Sequence, residues 1–130
     1  MPKTSRFVRP ETVRLSISDG DEIVIRRRLT NGEQRAMFAR MYETGVTPIR
    51  VNTLETGIAL IVAYLVDWTL VDDSGATVAI RDLAADDLAA VLDSLDPASF
   101  TEIKEAIETH VAAEDETREA LKKTASGAAA

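Results

Sequence analysis

The chain has 130 residues, 45% hydrophobic and 28% charged, which suits one folded domain with a single core. It has no cysteine and one histidine. This composition excludes a disulfide framework, a thiolate metal site and a metal site built from several histidines. The longest unbroken apolar run, residues 58–66, is about half the length of a membrane helix. No apolar stretch follows the basic N-terminus, so we expect no signal peptide and a cytoplasmic location.

Charge is distributed unevenly along the chain. The net charge is −7, from 15 basic and 22 acidic residues. Residues 1–50 hold 10 basic against 6 acidic residues, a net of +4, whereas residues 51–130 hold 5 against 16, a net of −11. An acidic total argues against nucleic acid as the partner, because binding to it depends on neutralising phosphates. The asymmetry favours contact between the two parts or with a charged partner.

Residues 1–10 show no periodicity and are predicted to form a flexible arm, followed by a β-hairpin. Apolar residues alternate with polar ones on both sides of an Asp-Gly-Asp turn: Val13, Leu15 and Ile17, then Ile23 and Ile25. A three-residue loop at 19–21, with Gly20 or Asp21 at positive φ, puts all five on one face. It pairs Ile17 with Ile23 and Leu15 with Ile25.

The same register places Arg14 opposite Arg26, with Arg28 two positions further on, all pointing away from the apolar face. Like charges directly opposite each other are unfavourable in a sheet. Two interpretations stay open. The arginines are solvated side chains, or they form a docking face for an acidic segment of this chain, of a second copy or of a partner.

Thr30 and Glu33 form a capping box that begins a first helix, expected to reach about Glu43 and to stop at Gly45. Its inward residues would be Met37, Phe38 and Met41. Residues 46–51 are predicted to be a connector, and Asn52 or Thr53 would cap a second helix reaching about Val66. That helix is apolar nearly all round, so it is either the central core element or faces a partner. The candidate partner-binding apolar residues are Leu60, Ile61, Tyr64 and Trp68.

Residues 67–80 are predicted to be a short hairpin or an extended loop. Asp82 would cap a third helix over 83–93, and Asp96-Pro97 would begin a fourth. Its inward stripe would be Phe100, Ile103, Ile107 and Val111, and it fades from Ala112. We therefore expect one α+β domain over 11–120, with an N-terminal hairpin packed on three or four helices, and a flexible tail over 121–130.

Catalytic and cofactor motifs are absent from the sequence. Asp67, Asp72 and Asp73 lack the spacing of an EF-hand loop. His110 lies at the edge of the apolar stripe, with no carboxylate or nucleophile arranged around it. The sequence therefore predicts a non-enzymatic protein with no cofactor, no metal and no catalytic residue.

Three segments, in this order, resemble the tail assembly chaperones and related small tail proteins of long-tailed bacteriophages. They are DGDEIVIRRRLTNGE (residues 19–33), YLVDWTLVDDSGATV (64–78) and LDPASFTEIKEAIETHV (95–111). The resemblance covers about residues 10–120 and implies a non-enzymatic assembly factor in the host cytoplasm. It would bind the tape measure protein, the tail tube protein or both, keeping the tape measure soluble while tube subunits polymerise around it. Self-association is possible, and neither nucleic acid nor membrane is expected as a partner. The arginines at 26–28 depart from a uniformly acidic chaperone, so the alternative is a virion structural component, either a head–tail connector or a minor tail protein.

Overall fold

A small antiparallel sheet packs against α-helices. The computed structural model describes residues 3–43, 50–51 and 55–128. In these ranges the elements are β1 Thr12–Ser16, β2 Glu22–Arg26, α1 Asn31–Met41, β3 Tyr42–Glu43, β4 Arg50–Val51, α2 Thr56–Tyr64, β5 Leu65–Trp68, α3 Ala85–Asp93 and α4 Pro97–Ala128. β2 is the central strand between β1 and β5, and β3 pairs with β4. The α+β class, mostly helical with an N-terminal hairpin on the helices, is confirmed.

The β1–β2 hairpin keeps the predicted apolar face but not the predicted register. Leu15 lies opposite Ile23, so every predicted pair is wrong by two residues. The loop does have three residues, but it occupies 18–20, since the Ile17 N–H donates to the Asp21 carbonyl. A loop displaced by one residue changes the register by two, and an even shift leaves each side chain on its original face.

Two residues in the left-handed region fix the position of this loop. Asp19 and Gly20 have φ of 59° and 76°, whereas Asp21 is extended. Glycine adopts this region freely, and aspartate does so more readily than most residues. α4 also holds the loop, because the Glu102 carboxylate accepts hydrogen bonds from the Ser18 N–H at 3.2 Å and hydroxyl at 2.8 Å.

α1 begins at the predicted capping box. The Thr30 hydroxyl accepts from the Glu33 N–H at 3.1 Å, and the Glu33 carboxylate accepts from the Thr30 N–H at 2.9 Å. The helix ends at Met41, two residues before the predicted end. Gly45, its predicted stop, and the caps predicted at 52–53 lie outside the described residues.

The exposed face of α1 differs from the predicted one. Phe38 is 41% exposed and contacts Tyr42, with ring centroids 6.3 Å apart, so its predicted inward position is wrong. Met37 packs partly buried against the core, as predicted. α1 has no fully buried side chain, so it covers the core from outside.

The apolar run after residue 57 changes from helix to strand. α2 ends at Tyr64, and β5 begins at Leu65 with no connecting residue. β5 pairs antiparallel with β2, with Trp68 opposite Ile23. The predicted helix to Val66 is therefore too long, because a fully buried helix and a fully buried strand have the same continuous apolar pattern.

Residues 69–80 form the short hairpin that was one of the two predicted alternatives, with a single bridge between Val71 and Thr77. The Asp72 carboxylate closes its turn by accepting hydrogen bonds from the hydroxyl and N–H of Ser74 and from the Ala76 N–H. These bonds, the Ser74 hydroxyl foremost, lower the pKa of Asp72.

The third helix begins later than predicted. α3 starts at Ala85 without a side-chain cap. Asp82 is not its cap, because it lies two residues before the N-cap position and has a φ of 67°. Leu88 and Leu92 are buried and form the inward face of the helix.

α4 begins as predicted, with Pro97 as its first residue and the Asp96 carboxylate accepting from the Ser99 N–H at 3.2 Å. Its 32 residues make a helix about 48 Å long. It reaches Ala128, so most of the predicted tail is helical. Among the described side chains from 112 onwards, all are exposed except half-buried Glu114. No helix in the described ranges is both long and apolar enough to cross a membrane.

One aliphatic core joins the sheet to α2, α3 and α4. Its buried members are Ile23, Ile25, Ile61, Tyr64, Leu65, Trp68, Ile80, Leu88, Leu92, Ile103 and Ile107. Ile61 is 0% exposed. This confirms that α2 is the central core helix, one of the two roles that its apolar sequence allowed.

Replacing Ile61 with alanine should lower the free energy of unfolding by about 2–5 kcal/mol, because it removes buried methyl groups and leaves a cavity. Urea denaturation followed by circular dichroism measures this change. The matched control is Leu121→Ala on the exposed end of α4, which should stay within about 0.5 kcal/mol of the unsubstituted protein. Equal effects of the two substitutions would contradict the central position of α2.

Candidate functional site

The structure separates the arginines that were predicted to form one face. Because the register differs by two residues, Arg14 lies opposite Val24 and not opposite Arg26. Its Nη1 is 3.2 Å from the Glu22 carboxylate on the neighbouring strand. The predicted juxtaposition of Arg14 with Arg26 is therefore wrong, and Arg14 has an acidic partner within the hairpin.

Arg26 has partners of its own on α1 and α2. Its Nε is 2.8 Å from the Glu33 carboxylate, and its Nη1 donates to the Ala63 carbonyl at 2.9 Å. Arg28 is exposed, and no ion pair reaches it within the described ranges. Of the three predicted docking arginines, Arg28 alone has its charge free for a partner.

Three of the four apolar candidates are core residues. Ile61, Tyr64 and Trp68 are buried, and the Trp68 indole N–H donates to the Val78 carbonyl at 2.8 Å. A partner cannot reach these side chains in the folded protein. Leu60 is only half-buried, and it borders an open groove.

This groove lies between α2, α4 and the end of α1, and encloses about 710 Å³. We call it the α2–α4 groove. Its apolar lining is Met41, Gly57, Leu60, Val111 and Ala112, and its polar lining is Thr56, Lys104, Glu108 and Asp115. The α4 residues that line it, from 104 to 115, span about three helical turns, or roughly 16 Å. The groove therefore has the length of a short helical segment.

Gly57 sets one end of the groove by letting α2 approach α4 closely. A Cβ atom at this position would lie 3.2 Å from Cδ of Lys104 and 3.3 Å from Cε1 of Phe100. Those distances are shorter than ordinary van der Waals contact between carbon atoms. Glycine thus allows the contact that holds the two walls at this spacing.

Polar contacts connect the basic and acidic parts of the chain. Arg27, directly after β2, binds Glu11 at 2.9 Å and Glu114 of α4 at 3.1 Å. These hydrogen bonds, that with Glu114 foremost, raise the pKa of Arg27. His110 lies at the core edge as predicted, 2.9 Å from the Arg27 carbonyl. Because a carbonyl only accepts, Nε2 of His110 is the donor.

Neither a metal site nor a known relative adds to these observations. Within the described ranges, no group of three or more histidine, aspartate or glutamate side chains could hold a metal ion. No protein-family model, curated protein or solved structure matches the chain.

The pKa of Tyr64, which is buried next to the groove, tests how closely α2 packs against α4. Burial first, and then the negative charges of Asp115 and Glu114, raise the pKa of its phenol. In Tyr42→Phe, Tyr64 is the only tyrosine, and ultraviolet titration should give a midpoint above about 10. Since the folded pKa is the higher one, the contribution to stability is present below about pH 10 and is lost as pH rises through the folded pKa. A midpoint at or below about 10 would contradict this packing.

Proposed function

We propose that this protein is a non-enzymatic tail assembly chaperone of a long-tailed phage and acts in the host cytoplasm. It binds a helical segment of the tape measure protein in the α2–α4 groove and keeps that protein soluble during tube assembly. The observation that carries the proposal is the groove itself, where Met41, Leu60 and Val111 form an apolar lining open to solvent. Amphipathic helices bind in grooves of this kind by inserting their apolar face.

The polar lining of the groove supports the same kind of partner. Lys104, Glu108 and Asp115 lie along α4 beside the apolar residues. An amphipathic helix presents an apolar stripe flanked by polar residues, which matches this arrangement. The apolar contacts supply affinity, and the charges at the edge favour one orientation of the partner.

The charge of the chain suits a protein that accompanies an insoluble partner. The net charge of −7 on this chain adds charge repulsion between complexes, which opposes their further association. The sequence resemblance supplies the identity of the partner, since tail assembly chaperones act on the tape measure protein. A protein of this kind needs no catalytic group and no cofactor.

Filling the groove should weaken binding of the tape measure protein. Ala112→Trp places a large side chain in the groove and should weaken binding to the tape measure protein about tenfold or more. The measurement is the soluble fraction of the tape measure protein when the two are co-expressed. Ala113→Trp is the matched control, because Ala113 is an exposed neighbour on α4 that does not line the groove.

The solubility of the tape measure protein and the content of mature particles distinguish a groove-binding chaperone from the other possibilities. The tape measure protein should be soluble with the unsubstituted protein and with Ala113→Trp, and insoluble with Ala112→Trp. Equal solubility with both variants would reject the groove as the binding site. Purified mature phage particles should lack the protein, and its presence there would favour a virion structural component.

A further inference from the structure

A second surface lies where the N-terminal arm meets α4. It holds a cleft of about 330 Å³, which we call the arm cleft and whose lining includes Phe7, Arg9, Arg28, Arg118 and Leu121. Leu121 follows Ala112 by nine residues, which is about two and a half helical turns. The α4 residues of the arm cleft (114–121) lie mostly beyond those of the groove (104–115), and the two surfaces share no lining residue.

The arm cleft is basic in a protein that is acidic overall. Residues 3–10 carry Lys3, Arg6 and Arg9 with no acidic residue among them. Arg28, between β2 and α1, and Arg118 of α4 add their charges. In the part of the chain that the structure describes, Arg9, Arg28 and Arg118 form no ion pair. Their charges are therefore available to an external partner.

Large apolar side chains are exposed beside these cations. Phe7 is 89% exposed and Leu121 is 66% exposed. Single exposed apolar residues are common, but two on the walls of one basic cleft form a mixed surface. Such a surface provides guanidinium groups for carboxylates and an apolar contact for one large side chain.

We propose that the arm cleft binds an acidic peptide segment of a partner protein, anchored by one aromatic or aliphatic side chain. Arg27, which also lines the arm cleft, shows how carboxylates bind there, since it pairs with Glu11 and Glu114 at 2.9 and 3.1 Å. Spaced carboxylates of a peptide can pair with Arg9, Arg28 and Arg118. A continuous phosphate backbone fits less well, because Glu11, Glu114 and the net charge of −7 repel it.

The test selects peptides from a random display library on the intact protein and measures their affinity for two triple variants. Arg9→Gln/Arg28→Gln/Arg118→Gln removes the free cations of the arm cleft. Arg14→Gln/Arg35→Gln/Arg81→Gln is the control, with the same change in net charge at exposed arginines outside the arm cleft. Circular dichroism melting checks that each variant is folded.

Selected peptides should be rich in Asp and Glu and contain an aromatic or leucine residue. The arm-cleft variant should bind them about tenfold more weakly, and the control within about twofold. Raising NaCl from about 50 to about 300 mM should weaken binding to the intact protein. Three results would overturn the proposal: no peptide that distinguishes the variants, single-stranded DNA binding that depends on the same arginines, or self-association that the arm-cleft variant loses.

Discussion

Strand β2 is the element on which the positions of the other parts depend, because it pairs with β1 on one edge and with β5 on the other. Its alternation buries Ile23 and Ile25 in the core. β5 continues directly from α2, so pairing with β2 also positions that helix. α4 packs Ile103 and Ile107 into the same core, and Arg27, directly after β2, adds an ion pair with Glu114. The α2–α4 groove and the arm cleft are both consequences of these two connections.

The sequence predicted those features that depend on neighbouring residues. The Thr30–Glu33 box begins α1, and Asp96 begins α4, because each cap involves residues three apart. The apolar face of the hairpin followed from alternation alone. Its register did not, because the loop position depends on positive φ at Asp19 and on Glu102, which lies 84 residues after Ser18. A contact at that separation has no local sequence signal.

The candidate site is harder to predict from the sequence, because it also depends on contacts between residues far apart in the chain. Apolarity identified Ile61, Tyr64 and Trp68, but a core residue and a partner-binding residue have the same composition signal. Leu60 was found because it shares that run. Val111 and Ala112 mark the point where the apolar stripe of α4 fades, and in the structure the exposed part of the helix begins there. The end of this apolar stripe is the feature of the sequence that could have indicated the groove. The arm cleft had none, because Arg9 and Arg118 are 109 positions apart in the sequence.

The most direct test of the central claim is methyl-labelled nuclear magnetic resonance of the protein titrated with helical segments of the tape measure protein. The α2–α4 groove predicts chemical-shift changes at the methyl groups of Met41, Leu60 and Val111, which line it. Leu121, which lines the arm cleft and not the groove, serves as the internal reference and should stay unchanged. Shifts at Leu121 with none at Leu60 or Val111, or no shift with any segment, would contradict the account.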